Sequence, residues 1–329
     1  MKHISIIVPQ GHCSLPNIDG SHQILNEVNN FLSANGKQPL FKVQLVGLSG
    51  ESTQRNGMYR ISPDCIITEV NKTDLIIIPA MHGDLQKAIE LNKEFMPWII
   101  QQYKAGAEVA AYCIGTFFLA ATGLLNGKQA ATHWVAANEF RQMFPDVDLV
   151  DDKIMTEEDG LYTSGGAYSF LNLLLYLVEK YAGRQMAILI SKAFMIDIDK
   201  VSQSPFIMFK GQKSHADEPI KNAQEFIETN FQERITVDQL AQMFALGRRN
   251  MERRFKKATS NTVVEYIQRV KIEAAKKQLE DGQKNINEVM YEVGYSDAKA
   301  FRTTFKKITG LSPVRYKNKY NKELALTDD

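Results

Sequence analysis

The sequence predicts an α/β domain followed by an all-α domain. In the first half, short β-branched apolar runs alternate with longer segments of helical spacing, which indicates a parallel sheet covered by helices on both faces. From about Gly183 the strand pattern stops, and nearly all of the chain to about Tyr320 has helical spacing. At 329 residues the chain is long enough for two separate cores.

The front half is expected to form a doubly wound parallel sheet of the flavodoxin-like kind. The predicted strands are Ile4–Val8, Val43–Val46, Leu75–Ile78 and Val109–Tyr112. The predicted helices are Ile24–Leu32, Leu85–Tyr103 and Phe170–Tyr181, and a further helix is expected directly after Cys113.

The charge of the chain is unevenly distributed. Residues 1–212 hold 17 Lys and Arg against 21 Asp and Glu, whereas residues 234–322 hold 20 against 9, a net charge of +11. Only the back half is therefore expected to meet a polyanion such as DNA.

Composition excludes several classes of protein. The three cysteines, Cys13, Cys65 and Cys113, form no CxxC pair, so neither a disulfide framework nor a metal site is predicted. The apolar stretch at the N-terminus is too short for a signal peptide, and the two long uncharged stretches are interrupted by Gly, Thr and Ser. We therefore expect a cytoplasmic protein without a membrane partner, a metal or a cofactor.

A repeat occurs in the basic segment. FKKATSNTVVEY begins at Phe255 and FKKITGLSPVRY begins at Phe305, and both contain F-K-K-x-T followed by the same Val and Tyr spacing. Each copy ends a pattern of helix, short break and second helix, which predicts two helix-turn-helix units. The predicted second helices are Arg248–Lys257 and Ala298–Lys307.

The second helix of each unit has an apolar face and a cationic face. Met251 and Phe255 in the first unit, and Phe301 and Phe305 in the second, are expected to be buried. Cationic and amide side chains on the opposite face suit contact with phosphates and base edges of double-stranded DNA. The predicted DNA-binding residues are Arg248, Arg249, Asn250, Arg253, Lys256, Lys299, Arg302, Thr303 and Lys306. The alternative is a helical bundle with solvated Lys and Arg faces.

A helix over Thr262–Glu280 is predicted to join the two units. Its apolar stripe is formed by Val263, Tyr266, Ile267, Val270 and Ala274. Such a helix is roughly 30 Å long, close to the ~34 Å between successive turns of the major groove. Both second helices could then reach adjacent turns of one DNA duplex.

This region resembles the DNA-binding domain of the AraC/XylS family of transcription regulators. The resemblance covers residues 218–320 and rests on the motifs LAQMF, MERRFKK, VGYSD and FKKITGLSPVRY. It implies binding to promoter DNA, with RNA polymerase as a further partner if the protein is an activator. Gly247 stands where many relatives have Ser at the cap of the first recognition helix, and Gly is the weaker N-cap.

The front half resembles the PfpI/class I glutamine amidotransferase-like superfamily over about residues 3–183. The resemblance is carried by YCIGTFFLAATGLLNGKQAATHW and DGLYTSGGAYSFLNLLLYLVEKYAG. It implies that Cys113 lies at a sharp strand-to-helix turn and that His133 is its partner. A helix N-terminus after the turn would lower the pKa of the thiol, and a Cys–His pair can support acyl transfer or hydrolysis.

Two departures from that family argue against catalysis. Where the family's enzymes place a carboxylate in an early loop, this chain has Asn17, with Asp19 nearby. The loop after Leu75–Ile78 has Ala80 and Met81 where relatives often have Gly, which would crowd an oxyanion site. We therefore expect a pocket that binds a small effector without catalysis. Its predicted ligand-binding residues are Asn17, Asp19, Met81, Gly83, Cys113, Ile114 and His133, of which Cys113 and His133 are vestigial catalytic candidates.

The order of the two resemblances is that of GlxA-type regulators. The predicted organisation is a sensing domain over 1–183, a connecting helix and linker over 184–217, a DNA-binding domain over 218–320 and a tail over 321–329. A homodimer formed through the front domain is expected. Three alternatives remain: an inert scaffold in which Cys113 is a buried small hydrophobic residue, a cysteine-dependent amidase, protease or glyoxalase-like enzyme that uses Cys113 and His133, and a redox sensor that uses Cys113.

Overall fold

The chain divides into two compact units between Gln203 and Ser204. The structure is a computed structural model that describes residues 1–54, 57–198, 202–213 and 215–321. The division lies inside the predicted connection of 184–217 rather than at either end of it, because the helix at its start packs into the first unit through Ala187 and Ile190. Beyond Asn321, the predicted tail lies outside the described residues.

The first unit is built on a seven-stranded sheet, and the predicted doubly wound parallel sheet is confirmed. Its strands in spatial order are β10 (Met155–Glu158), β11 (Leu161–Ser164), β7 (Glu108–Tyr112), β6 (Leu75–Ile78), β1 (Lys2–Ile7), β2 (Phe41–Gly47) and β5 (Cys65–Ile66). All neighbours are parallel except β10 and β11. Two small ladders accompany the sheet: β3 (Ser52–Gln54) with β4 (Tyr59–Ile61), and β8 (Gln129–Ala130) with β9 (Asp148–Leu149).

Helices cover both faces of this sheet. They are α1 (Leu15–Ala34), α2 (Leu85–Leu91), α3 (Phe95–Lys104), α4 (Gly115–Ala121), α5 (Ala137–Met143), α6 (Phe170–Ala182) and α7 (Arg184–Ala193). Alternate residues of the central strands enter two different cores: Ile76 and Ile78 lie in one, and Leu75 and Ile77 in the other. This alternation follows from the two-residue period of a strand.

The prediction of one helix over Leu85–Tyr103 is wrong, because the chain breaks at Asn92 and forms α2 and α3. The buried Asn92 side chain accepts the Gln10 N–H at 2.8 Å and donates to the Gln10 carbonyl oxygen at 2.9 Å. A helix that ends there can hold the loop after β1 in place. Helix α1 also begins at Leu15, well before the predicted Ile24.

The second unit consists of helices and the turns between them. They are α8 (Glu218–Thr229), α9 (Val237–Met243), α10 (Arg248–Thr259), α11 (Val263–Asp281), α12 (Ile286–Glu292), α13 (Ala298–Thr309) and α14 (Pro313–Tyr320). Helices α9 and α10 form the first predicted helix-turn-helix unit, and α12 and α13 form the second. Each unit has its own hydrophobic cluster, and α11 contributes residues to both. Within the described residues, no helix is both long and apolar enough to cross a membrane.

The two copies of the F-K-K-x-T repeat form the same local structure. Thr259 and Thr309 are buried, and each hydroxyl donates to the carbonyl oxygen of the Phe four residues earlier, at 2.8 Å in both copies. Each hydroxyl also accepts the N–H of the residue two positions on, at 3.1 Å from Asn261 and 3.2 Å from Leu311. These bonds end the recognition helix and turn the chain into the next helix.

The aromatic positions of the repeat also match. The Phe255 and Tyr266 rings meet edge to face with centroids 5.2 Å apart, and the Phe305 and Tyr316 rings do so at 5.4 Å. All four side chains are buried. The spacing that revealed the repeat therefore reflects one packing arrangement used twice.

Gly115 is expected to be essential for the first unit. A methyl group at this position would lie 2.5 Å from the Pro79 carbonyl oxygen, so Gly115→Ala must displace main chain. We expect the substitution to lower the free energy of unfolding by about 2 kcal/mol or more, measured by urea denaturation. Gly50→Ala is the control, because nothing lies within 4 Å of that position; an equal loss in both variants would contradict the close approach.

Candidate effector site and DNA interface

Cys113 occupies a sharp turn between β7 and α4, as the sequence predicts. Its φ is +54°, in the left-handed region that non-glycine residues seldom adopt. The Cys113 N–H donates to the Ser164 carbonyl oxygen at 2.8 Å, and the Cys113 carbonyl oxygen accepts the Thr132 hydroxyl at 2.9 Å. Both neighbouring segments therefore hold the turn.

The electrostatics of Cys113 differ from the sequence-based expectation. The residue is 3% exposed, and this burial raises the pKa of its thiol to about 12, although a hydrogen bond from the Ile114 N–H acts in the opposite direction. Desolvation of a thiolate outweighs the helix terminus here, and α4 has only 7 residues. The Cys113 thiol is therefore protonated at neutral pH.

His133 is half-buried and caps the short turn Trp134–Ala136. Its Nδ1 accepts the Val135 N–H at 3.2 Å, and burial lowers the pKa of its imidazole. Among the described residues, no hydrogen bond joins His133 to Cys113. The structure thus does not show the pair as an assembled nucleophile and base.

Asn17, in the first turn of α1, binds the loop that follows β6. Its Oδ1 accepts the Ala80 N–H at 3.0 Å, and the Ala80 carbonyl oxygen accepts the Ser14 N–H at 2.8 Å. Cys13 and Met81 pair as an isolated antiparallel bridge beside these bonds. The Ala80 N–H is therefore already bonded, which leaves it unable to stabilise an oxyanion in this arrangement.

The Asn17 amide nitrogen has no hydrogen-bond partner in the described part of the chain, although the residue is fully buried. A buried donor without an acceptor costs about 1–3 kcal/mol. Asn17 and the Cys113 turn border the same short segment, since Ala80 follows Pro79 and the Pro79 carbonyl lies against Gly115.

The other predicted pocket residues separate into two groups. Met81 is buried and Ile114 is partly buried, both beside the segments just described. Asp19 is exposed and bonds to Gln23 on the outer side of α1, because two residues along a helix correspond to about 200° of rotation from Asn17. Gly83 is exposed with a φ of +93°. We therefore leave Asp19 and Gly83 out of the candidate pocket.

Two residues near Cys113 were not predicted. Ser164, at the end of β11, has a buried hydroxyl without a partner in the described residues. Gln203 donates from Nε2 to the carbonyl oxygens of Thr132 at 3.0 Å and Lys153 at 3.1 Å, while its Oε1 has no partner in the described residues. Ser164 lies within the LYTSGG motif, whereas Gln203 lies in the predicted linker, where no pattern marked it.

The first recognition helix, α10, presents the predicted cationic face. Met251 and Phe255 are buried, as predicted. A shallow groove is lined by Gly247, Arg248, Arg249, Asn250 and Arg253. Lys256 is also exposed and donates to the Ser260 carbonyl oxygen at 2.9 Å.

Not every arginine of α10 is equally available. Arg248 pairs with Asp238 at 2.8 Å and with Glu252 at 3.4 Å, although it remains largely exposed. Arg254 faces inward and makes two bonds to the Asp217 carboxylate, at 2.9 and 2.6 Å. This guanidinium holds the pKa of the Asp217 carboxyl below its usual range. Arg254 therefore fixes α10 against the start of α8.

The second recognition helix, α13, lines a larger groove of about 850 Å³. Arg302, Thr303 and Lys306 from the prediction lie along it, while Lys299 is exposed at the start of the helix. The groove also contains residues that the sequence analysis missed: Asn285, Asn287 and Ser312 from the starts of α12 and α14, and Lys317 from the last turn of α14. Helix starts present N–H groups that suit phosphate oxygens.

Two family models match the chain, one in each compact unit. The DJ-1/PfpI family matches residues 32–180, and a helix-turn-helix domain matches residues 240–319.

Curated relatives are transcription regulators. The chain is 26% identical to the HTH-type transcriptional regulator ArgR of Pseudomonas aeruginosa over 219 residues, which is 66% of each protein. It is 23% identical to the regulator GbdR of the same species over 285 residues, 83% of this chain and 74% of GbdR. It is 20% identical to the regulator GlxA of Rhizobium meliloti, over 64% of this chain and 65% of GlxA.

Solved structures resemble the fold over the front part of the chain. An AraC family transcriptional regulator from Pseudomonas putida aligns with a TM-score of 0.50 at 14% identity, over 59% of this chain and 100% of that chain. Drosophila melanogaster DJ-1beta aligns with a TM-score of 0.50 at 20% identity, over 60% of this chain and 98% of that chain.

The two units together define a DNA-binding transcription regulator of the helix-turn-helix class. The chain thus joins a DJ-1/PfpI-like unit to a helix-turn-helix domain, and it is similar over most of its length to curated regulators that include GlxA and GbdR.

The burial of Cys113 predicts slow alkylation. With a thiol pKa of about 12, roughly one molecule in ten thousand carries the thiolate at pH 8. We expect iodoacetamide to modify the partly exposed Cys65 first, and the Cys113 rate to rise about tenfold per pH unit from pH 7 to 10. Peptide mass spectrometry measures both. Comparable rates for the two cysteines at pH 7 would contradict a protonated Cys113.

The exposed arginines of the recognition helices predict the effect of their removal on DNA binding. Arg253→Ala or Arg302→Ala in the full-length protein should weaken binding to the protein's own upstream DNA by about tenfold or more. If the lost contact is to a phosphate, the slope of log affinity against log salt should fall by about 1. Gel-shift titrations at several salt concentrations measure both.

Arg60→Ala is the matched control, since this exposed arginine lies in the first unit. Unchanged affinity in both recognition-helix variants, or equal weakening by Arg60→Ala, would contradict the assigned interface.

Proposed function

We propose that the first unit binds a small effector without catalysing a reaction on it, and that the bound effector changes promoter binding by the second unit. The observation that carries this proposal is the buried Asn17 amide nitrogen, which has no partner among the described residues. A hydrogen-bond acceptor on a ligand would satisfy it and recover much of the ~1–3 kcal/mol that an unpaired buried donor costs.

Three features of the pocket argue against an enzyme. The Cys113 thiol is held neutral by burial, Asn17 offers an amide rather than a carboxylic acid, and the Ala80 N–H is already bonded. Each removes one of the parts that acyl transfer at a cysteine needs: nucleophile, proton carrier and oxyanion donor. The same neutral thiol opposes the redox alternative, because oxidation requires thiolate character and access.

The proposed pocket is uncharged. Its members are Asn17, Met81, Cys113, Ile114 and His133, with Ser164 added from the structure. Burial lowers the pKa of the His133 imidazole, so this ring too is neutral at pH 7. An effector held mainly by hydrogen bonds and apolar contact fits these side chains better than one held by a counter-ion.

The remaining partners follow from the family. We propose a homodimer formed through the first units, acting on promoter DNA in the cytoplasm, with RNA polymerase as the further partner of an activating form. Control of DNA binding then requires only that the effector prefer one arrangement of the protein. A tenfold preference corresponds to about 1.4 kcal/mol of coupling.

A ligand screen tests the proposal. The full-length protein is heated with a panel of amino acids, small amides and amines, and a compound at about 100 times its Kd should add roughly 2.7 kcal/mol of stability. That stabilisation should appear as an increase of several degrees in Tm. A compound that stabilises the protein should also change its affinity for promoter DNA.

Asn17→Leu should abolish the stabilisation, because it removes the unpartnered donor. Asp19→Asn should retain it, because Asp19 lies on the outer side of α1. Turnover of the compound, lost in Cys113→Ala, would instead establish the enzyme alternative.

A further inference from the structure

Residues 204–213, here called the strap, run beside α11 from one helix-turn-helix unit to the other. The strap begins close to α14, the last described helix of the chain. The Tyr320 hydroxyl donates to the Pro205 carbonyl oxygen at 3.1 Å, and the Lys319 ammonium lies 4.4 Å from the centre of the Phe206 ring.

The middle of the strap is bonded to α11 itself. Lys276, only 3% exposed, donates to the Ile207 carbonyl oxygen and pairs with Glu273 at 2.8 Å. The same Glu273 carboxylate accepts the Phe209 N–H at 3.1 Å. The Lys276 ammonium thus binds a strap carbonyl oxygen and an adjacent carboxylate, and it is not exposed to solvent or DNA.

The Phe209 side chain is packed against the N-terminal half of α11. Its ring meets the Tyr266 ring edge to face, with centroids 5.1 Å apart, and the Arg269 guanidinium lies 5.9 Å from its centre. The strap then passes so close to Tyr266 that a methyl group on Gly211 would clash with the Tyr266 hydroxyl. Gly211 also has a φ of +70°, so glycine fits this position on two grounds.

The end of the strap is bonded to α8 and to Asn261, which follows α10. Gln212 accepts from the Gln224 side chain at its carbonyl oxygen, at 3.1 Å, and from the Asn261 side chain at its Oε1, at 3.3 Å. Lys213 pairs with Glu228 of α8 at 2.7 Å. Contacts therefore continue over the whole strap.

The two helix-turn-helix units have separate cores, joined through the 19 residues of α11. Lys271 makes one direct tie between them, from its ammonium to the carbonyl oxygens of Glu233 at 3.4 Å and Gly294 at 3.1 Å. Lys276 lies five residues further along α11, about 140° around the helix from Lys271. The strap therefore adds a tie on a different side of the same helix.

We propose that the strap is a positioning element that fixes the spacing and rotation of the two recognition helices, and so sets which operator spacings the protein accepts. Each base pair inserted between two recognised segments moves the second by about 3.4 Å and about 35° around the duplex. A DNA-binding domain whose two helix-turn-helix units are held on two sides of the linking helix cannot adjust to the new spacing. A domain held on one side only can bend or twist until both recognition helices reach their segments. The proposal depends on DNA binding and is independent of any effector.

The test uses the full-length protein and an operator selected from random-sequence duplexes with the wild type. Hydroxyl-radical footprinting on that operator identifies the two contacted segments, and a second duplex carries two extra base pairs between them. Phe209→Ala and Lys276→Gln are the variants. Phe31→Ala is the control, because Phe31 is a half-buried phenylalanine of the first compact unit. Binding to duplexes that carry one segment alone reports whether each helix-turn-helix unit is still folded.

The wild type and Phe31→Ala should bind the lengthened operator at least tenfold more weakly than the parent. The two strap variants should lose less than threefold between these duplexes, while they bind single segments as the wild type does. A spacing penalty in the strap variants equal to that of the wild type would overturn the proposal. Loss of single-segment binding would also overturn it, because the strap would then stabilise the fold rather than position the helices.

Discussion

The second unit depends on one helix, α11, that serves two cores at once. Its N-terminal half supplies Tyr266, whose ring packs edge-on against Phe255 of the first helix-turn-helix unit. Its C-terminal half supplies Ile272 and Leu279 to the core of the second helix-turn-helix unit. Phe255 and Phe305 of the recognition helices are each buried in a cluster that includes residues of α11. Because both cores close on the same helix, the outward faces of α10 and α13, which carry the exposed cations, have a defined relation to each other.

The two compact units use charge in opposite ways. The second unit keeps most recognition-helix cations in solvent, but Arg254 of α10 is bonded to Asp217. Two lysines of the linking helix α11, Lys271 and Lys276, bond to carbonyl oxygens away from their own helix. The first unit excludes charge from its candidate pocket, where burial keeps the Cys113 thiol protonated. The exposed cations suit the second unit to a polyanion, whereas the uncharged, hydrogen-bonding side chains of the first unit are what the proposed small effector would contact.

Most of the correct predictions came from the period of the apolar residues and from the F-K-K-x-T repeat. The strands around Cys113, the two helix-turn-helix units and the buried Phe and Tyr of the repeat all follow from local spacing. The features that the sequence analysis did not predict depend on contacts between residues that are distant in the chain. The break at Asn92 exists because of a bond to Gln10, and the strap had no apolar period to mark it. The pKa of Cys113 was predicted in the wrong direction, because the nearby helix start is visible in the sequence and the depth of burial is not.

The strap directly follows, in the chain, a residue that is bonded beside Cys113. Gln203, the last residue of the first unit, donates to the Thr132 carbonyl oxygen, and the Thr132 hydroxyl donates to the carbonyl oxygen of Cys113. The residue that follows Gln203 is Ser204, where the strap begins. Gln203 also has an unpartnered Oε1 among the described residues, so its present position leaves hydrogen-bonding capacity unused. A ligand with a donor for that oxygen would lower the energy of Gln203 at the point where the chain leaves the first unit. Allosteric control requires that a ligand contact differ between two states of the protein, and a contact to Gln203 would meet that requirement only if this side chain moved between them.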